Sequence, residues 1–90
     1  MKYTVICTTV EEARMMMKVF IDCGYLWKNG DLPSEDRLFF NQGLSGVGYI
    51  INMRLKTFGF CSPAYAHSNG EVHTVEEFLT EMNLCYNKVC

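Results

Sequence analysis

The residue types best suited to catalysis in this chain are its histidines, cysteines and serines, and their spacing does not favour an enzyme. A serine nucleophile requires a base and a group that orients the base. His67 and His73 fall in the same segment as Ser62 and Ser68, but neither serine lies in a nucleophile-elbow motif. A dyad of Cys61 with either histidine is an alternative that rests on proximity in sequence alone. We therefore predict that the protein is not an enzyme.

Metal ligation is the second chemistry that these residue types allow. A zinc site requires closely spaced pairs of cysteine or histidine. No two cysteines of the chain are two positions apart, His67 and His73 are six apart, and no cysteine lies at ligand spacing from either histidine. The odd number of cysteines favours reduced thiols rather than a disulfide framework. The five are Cys7, Cys23, Cys61, Cys85 and Cys90. We expect neither a metal nor a cofactor.

A binding surface is better supported than a catalytic centre. Tyr25, Trp27, Lys28 and Asn29 lie together just past the end of a predicted helix. Tryptophan and tyrosine are frequent anchors of protein interfaces, and an aromatic ring beside a cation also suits a stacked nucleotide. The alternative is that Trp27 packs in the core between helix and sheet, because aromatic side chains dominate core packing.

The elements that position this surface begin with a strand and a helix. Lys2 to Cys7 alternates in the manner of a β-strand. Thr8 to Glu11 has the form of a capping box, in which the Thr8 hydroxyl accepts a hydrogen bond from the Glu11 amide. The amphipathic helix that follows runs to about Cys23, and Gly24 supplies a left-handed residue past the helix end. A short strand, Tyr25 to Trp27, and a turn at residues 29–30 come next.

The middle of the chain predicts a β-hairpin. Gly48 to Leu55 and Thr57 to Cys61 are predicted to form two antiparallel strands joined by a tight link. Arg54 shares one strand face with Ile50 and Asn52. Because an exposed sheet face serves self-association or partner binding, Arg54 is a further candidate binding residue.

Three other segments lack a strong signal for regular structure. Leu38 to Phe40 is predicted to be a short strand or a plug on the core, and Asn41 to Gly48 a flexible connector that lacks a phosphate-loop motif. Ser62 to Glu71 is predicted to be a loop.

Thr74 to Glu77 repeats the capping box at the start of a second helix. Asn83 to Cys90 is predicted to be a tail whose Leu84 and Tyr86 dock on the domain.

Three motifs mark the ends of these helices. They are Thr8 to Glu12, then Cys23 to Gly30 with the sequence Cys-Gly-Tyr-Leu-Trp-Lys-Asn-Gly, and Thr74 to Leu79 with the sequence Thr-Val-Glu-Glu-Phe-Leu. In these motifs and in the order of its elements the chain resembles a loose group of small bacteriophage-encoded accessory proteins. The resemblance implies a non-enzymatic viral protein that acts in host takeover or counter-defence. Residues 43–48 depart from that pattern.

Size and charge set the remaining limits. Ninety residues with 49% hydrophobic and 20% charged content predict one globular domain, residues 1–90. A net charge of −2 argues against a nucleic-acid partner. No apolar run approaches the ~20 residues that span a bilayer, and the N-terminus does not resemble a signal peptide. We therefore expect no membrane association and a location in the host cytoplasm.

These observations predict an α+β fold, in which a small antiparallel sheet of three to four strands has two helices packed on one face. The first functional hypothesis is a protein that binds and inhibits or redirects a host or anti-phage defence protein. It predicts an exposed apolar or mixed patch. The alternative is a homo-oligomeric binder that sequesters a nucleotide-like small molecule. It predicts a cavity lined by aromatic and basic residues.

Overall fold

Four strands and three α-helices make up the part of the chain that the structure describes. The structure is a computed structural model; it describes the backbone of residues 2–89 and the side chains of residues 3–82. The elements in chain order are β1 (Lys2–Cys7), α1 (Val10–Asp22), β2 (Leu26–Trp27), a short 3-10 helix (Gln42–Leu44), β3 (Val47–Asn52), β4 (Thr57–Cys61), α2 (Pro63–Ser68) and α3 (Val75–Val89).

The strands form one mixed sheet in the order β1-β3-β4-β2. β3 pairs antiparallel with both β1 and β4, and β2 pairs parallel with β4. The predicted α+β class is confirmed, with four strands, but the prediction of an antiparallel sheet is wrong for the β2–β4 pair, which is parallel. The parallel pair arises because the chain leaves α1 through a tight turn, which places Leu26 beside Thr57 and Trp27 beside Phe58. This pairing brings the predicted binding segment to the edge of the sheet.

One face of the sheet carries the hydrophobic core. Tyr49 and Phe58 point to this face and are almost fully buried, as the alternation of side chains along a strand requires. Phe20 of α1 stacks on Phe58 with ring centroids 3.9 Å apart. Phe78 of α3 contacts Phe20 at 6.1 Å and Tyr3 at 5.7 Å. α1 and α3 therefore share an aromatic core on this face.

The N-terminal cap of α1 lies one residue later than the sequence pattern predicts. Thr9 is the cap, and its hydroxyl accepts from the Glu12 amide at 3.1 Å. The Glu12 carboxylate in turn accepts from the Thr8 amide at 2.9 Å. The predicted pairing of Thr8 with Glu11 is therefore wrong, because two adjacent threonines and two adjacent glutamates allow the same motif in two registers. Gly24 adopts the predicted left-handed conformation, with φ +77°.

Residues 41–46 form an ordered turn and residues 47–48 belong to β3, so the flexible connector predicted for residues 41–48 is not present. The 3-10 helix Gln42–Leu44 is capped by Asn41, whose side chain accepts from the Gly43 amide at 2.9 Å. Gly46 is buried with φ +127°, and a Cβ on it would lie 2.0 Å from the Cys7 carbonyl oxygen. Glycine is therefore required where this turn crosses β1.

A helix, α2, occupies part of the segment that was expected to be a loop. The Ser62 hydroxyl accepts from the Tyr65 amide at 3.2 Å, and Pro63 takes the first helical position, where its fixed φ is suited. Ala66 is 2% exposed, and a Cβ on Gly48 would lie 3.3 Å from its Cβ. Gly48 and Tyr49 are adjacent in β3, and adjacent residues of a strand point to opposite faces of the sheet. α2 therefore contacts the sheet face opposite the aromatic core.

The turn of the β3–β4 hairpin differs from the expected boundaries, whereas the start of the last helix agrees with the prediction. β3 ends at Asn52, whose side chain accepts from the Arg54 and Leu55 amides at 3.1 and 3.0 Å, so that the turn spans residues 53–56 rather than a two-residue link. The capping box of Thr74 and Glu77 is confirmed, with bonds of 2.8 and 3.1 Å.

The C-terminal segment was expected to be a tail, and the structure corrects this expectation. α3 continues to Val89. The docking predicted for Leu84 and Tyr86 concerns side chains outside the described residues. Within the described part of the chain no helix is long and apolar enough to cross a membrane.

Candidate binding site at the edge of the sheet

A cavity of about 330 Å³ lies at the edge of the sheet where β2 meets β4. We call it the edge cavity. It brings together three stretches of chain: the turn after β2, the loop before the 3-10 helix, and β4. Its lining residues are Trp27, Lys28, Asn29, Asp31, Leu32, Arg37, Phe39, Gly59 and Phe60.

Three aromatic rings form the apolar part of the edge cavity, and we call Trp27, Phe39 and Phe60 the aromatic cluster. Phe39 stacks on Phe60 with ring centroids 4.1 Å apart and an interplanar angle of 9°. The Trp27 ring meets both nearly at right angles, at 5.2 Å and 6.0 Å. Phe39 is nevertheless 42% exposed and Phe60 50% exposed. The cluster is therefore a surface feature rather than part of the sealed core.

Strand register explains why Phe60 reaches the surface. Phe60 pairs with Tyr49 and lies on the same sheet face as the buried Phe58. Phe20 of α1 covers Phe58. Phe60 lies two residues further along β4, where Phe39 of the loop stacks on it. Trp27 joins the two regions, because its ring also packs on Phe58 at 4.2 Å.

The loop segment that carries Phe39 is fixed by a buried tyrosine. The Tyr49 hydroxyl donates to the Leu38 carbonyl oxygen at 2.6 Å. Burial raises the pKa of Tyr49 well above its usual value of 10.0, so the hydroxyl remains a donor at neutral pH. The next residue, Phe39, has φ +59°, a conformation that bulky residues rarely adopt. In this conformation the Phe39 ring stacks on Phe60.

The turn after β2 shapes the polar side of the cavity. The Trp27 amide donates to the Asp31 carbonyl at 2.9 Å, and the Gly30 amide donates to the Trp27 carbonyl at 2.8 Å. The Asn29 side chain accepts from the Asp31 amide at 3.0 Å and donates to the Asp31 carboxylate at 3.1 Å. Asn29 therefore orders the turn and partly satisfies the acidic group of the lining.

Two cations border the aromatic cluster. Lys28 and Arg37 are exposed, and neither forms an ion pair with another described residue. The Lys28 stem lies beside Gly59, since a Cβ on that glycine would be 3.8 Å from Lys28 Cδ. With Asp31 as the acidic residue of the lining, the cavity carries two positive charges and one negative charge. The site therefore favours anionic over cationic groups.

The residues predicted to bind a partner or ligand divide into two groups. Trp27, Lys28 and Asn29 line the edge cavity. Tyr25 is 3% exposed and its ring contacts Phe20 at 5.5 Å, so it lies in the core. Arg54 is exposed in the turn between β3 and β4, outside the lining.

Sequence reasoning did not select Arg37, Phe39 or Phe60 for the site. Phe39 and Phe60 have aromatic neighbours in the chain, and nothing local distinguishes the exposed ring from the buried one. Their proximity depends on the parallel pairing of β2 with β4, which joins residues about thirty positions apart.

A second cavity of about 330 Å³ lies on the opposite face of the same edge. Its floor is formed by residues of β3 and β4 that alternate with the core side chains, including Ile50, Asn52 and Thr57. It shares Lys28, Gly59 and Phe60 with the edge cavity. The two cavities therefore flank one point of β4, and we call the second one the rear cavity.

Cysteine and metal chemistry receive no support from the described residues. Cys7, Cys23 and Cys61 are free thiols. Burial raises the pKa of Cys7 to about 12 and also raises the pKa values of the other two, so all three are protonated at neutral pH and are poor nucleophiles. The described part of the chain contains no group of three or more side chains placed to hold a metal ion.

Comparison with known proteins does not indicate a function for this chain. No protein-family model, no curated protein and no solved structure matches this chain. The resemblance to bacteriophage accessory proteins thus stays a prediction. The edge cavity is therefore the feature from which a function is proposed.

Proposed function

We propose that this protein is a non-catalytic binding protein with which a bacteriophage inhibits or redirects a host or anti-phage defence protein. The phage origin and the class of partner come from the resemblance of its motifs to phage accessory proteins. The binding role is supported by the aromatic cluster, in which Phe39 and Phe60 are ordered by mutual stacking and are 42% and 50% exposed.

The surroundings of the cluster favour a protein partner. Leu32 is 79% exposed in the same cavity and extends the apolar surface. Lys28 and Arg37 border it, and an apolar centre with a polar rim is the usual anatomy of a protein interface. Interface energy is concentrated in aromatic and arginine side chains. The partner therefore presents apolar groups to the rings and acidic groups to the rim.

The test compares Phe39→Gly with Tyr65→Ala in affinity capture from host lysate, followed by mass spectrometry and a Kd measurement with the purified partner. Glycine is suited to the positive φ of position 39, so this variant removes the ring and keeps the turn. Tyr65 is an aromatic residue of α2 that is 53% exposed and outside the cavity. We expect a stoichiometric partner that Phe39→Gly binds about tenfold more weakly.

Two results would overturn the protein-binding proposal. One is the absence of any captured protein from every susceptible host strain that is tried. The other is a captured protein that binds the wild type, Phe39→Gly and Tyr65→Ala equally. The Tm of each variant is measured alongside, so that a loss of binding is not confused with unfolding.

The edge cavity also favours a second candidate, a nucleotide-like small molecule. Its volume of about 330 Å³ falls within the range of small-molecule sites. An exposed ring of the cluster offers a stacking platform for a base, and Arg37 offers a partner for a phosphate. In this case the protein sequesters the ligand, as a homo-oligomer if two cavities face each other.

The second candidate has a direct optical test, because Trp27 is the one tryptophan of the chain. Titration with AMP, GMP and cyclic dinucleotides is followed by tryptophan fluorescence and by native mass spectrometry. We expect Arg37→Gln to weaken binding about tenfold and Arg54→Gln, an exposed arginine outside the cavity, to leave it unchanged. Unchanged fluorescence with every nucleotide rejects this candidate.

A further inference from the structure

We propose that the partner protein binds through an extended segment that pairs with β4 at Phe60 and continues the sheet beyond the end of β2. This inference rests on the proposed protein-binding function and specifies its geometry. The segment forms main-chain hydrogen bonds to the edge and places alternate side chains in the edge cavity and the rear cavity. Its chemistry is an apolar residue flanked by acidic ones.

The first support is the direction of the backbone groups of Phe60. The Lys28 amide donates to the Phe58 carbonyl at 2.9 Å, so the polar groups of Phe58 face β2. Backbone groups alternate in direction along a strand, and the N–H and C=O of Phe60 therefore face the same side. On that side they form no backbone hydrogen bond with any residue that the structure describes.

The chain itself prevents β2 from covering this position. After Trp27 the chain turns away, with the Gly30 amide donating to the Trp27 carbonyl at 2.8 Å. Beyond Phe60 the edge ends, because the Ser62 carbonyl accepts from the Ala66 amide of α2 at 3.0 Å. The available edge is therefore short, and the main-chain bonds of a bound segment are centred on Phe60.

The second support is the pair of cavities on either side of that position. Both are lined by Lys28, Gly59 and Phe60, one on each sheet face. A strand added at an edge directs successive side chains to opposite faces. Recognition of an extended peptide combines main-chain bonds with cavities for alternate side chains. The two cavities have the positions that this mode requires.

The other edge of the sheet is closed by the chain. Outside β1, the His73 amide donates to the Thr4 carbonyl at 2.8 Å and the Ile6 amide donates to the His73 carbonyl at 3.1 Å. The His73 ring stacks on Tyr3 at 4.0 Å. Natural proteins cover sheet edges that would otherwise pair with other chains. One edge is covered here, and the edge at Phe60 is left for the partner.

The charges at the edge select the chemistry of the segment. Lys28 and Arg37 have no acidic partner among the described side chains, whereas the Asp31 carboxylate accepts from the Asn29 side chain. Acidic residues beside the paired position complement the two cations. The aromatic cluster favours an apolar side chain between them.

The experiment begins with the free protein. Amide hydrogen exchange measured by NMR should find Gly59 and Cys61 protected by their bonds to β3, and Phe60 exchanging at least about tenfold faster. Protection of Phe60 equal to that of its neighbours would overturn the proposal, because the edge would then already be satisfied.

The second step uses a synthetic peptide of about six residues, the usual strand length, selected from a random displayed library on the wild-type protein. We expect an acidic and apolar sequence, and protection of the Phe60 amide in the complex. N-methylation of the peptide amide that faces Phe60 should weaken binding about tenfold, and N-methylation of the adjacent amides should not.

The outcomes separate this inference from the proposed function. If no peptide is selected, or if N-methylation at every position leaves binding unchanged, the paired strand is wrong. If Phe39→Gly still releases the captured partner in that case, the protein-binding function stands without it. If neither the peptide nor the partner depends on the edge cavity, both proposals fail.

Discussion

At the scale of single residues, backbone conformation decides where the candidate site forms. Phe39 adopts φ +59°, and a bulky residue in this region carries strain on the order of 1–3 kcal/mol. The hydrogen bond from Tyr49 to the Leu38 carbonyl holds the neighbouring peptide in place. The Phe39 ring remains 42% exposed, so the strained backbone holds a ring at the surface and not in the core. Such strain is common where a protein preorganises a binding surface.

Gly46 provides a prediction at the same scale. Gly46→Ala places a Cβ 2.0 Å from the Cys7 carbonyl oxygen at a φ of +127°, so the turn or β1 must shift. We expect a loss of about 3 kcal/mol or more in the free energy of unfolding, measured by urea denaturation. Gly43→Ala is the matched control, because its new Cβ meets a side-chain oxygen at 3.3 Å. Equal stability of the two variants would show that the turn does not pack on β1 as described.

At the scale of elements, local signals predicted those elements that carry them. β1, β4 and α1 lie where alternation and helical periodicity placed them, and the capping box at Thr74 marks the start of α3. These signals act over a few residues and need no tertiary context. Where a local signal was ambiguous, as at Thr8 and Thr9, the prediction missed by one residue.

The elements that sequence reasoning missed depend on contacts between distant segments. α2 has six residues, too few for a periodic pattern, and its packing of Ala66 against Gly48 joins residues far apart in the chain. The edge cavity requires β2 to pair with β4. From its lining the sequence selected Trp27, Lys28 and Asn29, which are contiguous, and missed the contributions of the loop and of β4.

At the scale of the whole molecule, the two edges of the sheet differ. The segment around His73 covers β1, whereas β2 is only two residues long and leaves the end of β4 uncovered. The aromatic cluster, the unpaired cations and the two cavities all lie at that uncovered end. Phe39 and Phe60 are exposed, whereas Phe58 is buried in the core, so variants at the exposed residues of the edge cavity are expected to change binding more than folding.

Buried titratable groups predict how the whole molecule responds to alkaline pH. Burial, with a smaller contribution from the charge of Glu12, raises the pKa of Cys7 from 9.0 to about 12, and burial also raises that of Tyr49. The folded state therefore holds these protons more tightly than the unfolded state. This stabilisation is fully present below pH 9 and is lost as the pH rises from 9 towards 12, because the unfolded chain releases its protons first.

The expected slope is about 1.4 kcal/mol per pH unit for Cys7, with a further contribution from Tyr49 above pH 10. Urea unfolding at fixed ionic strength between pH 7 and 10.5 measures this slope. Cys7→Ala removes one buried titratable thiol, so the stability of the variant should fall less steeply than that of the wild type above pH 9. At pH 7 the variant should be less stable than the wild type. If the stability of the variant falls with pH as steeply as that of the wild type, the Cys7 thiol is not buried in the core.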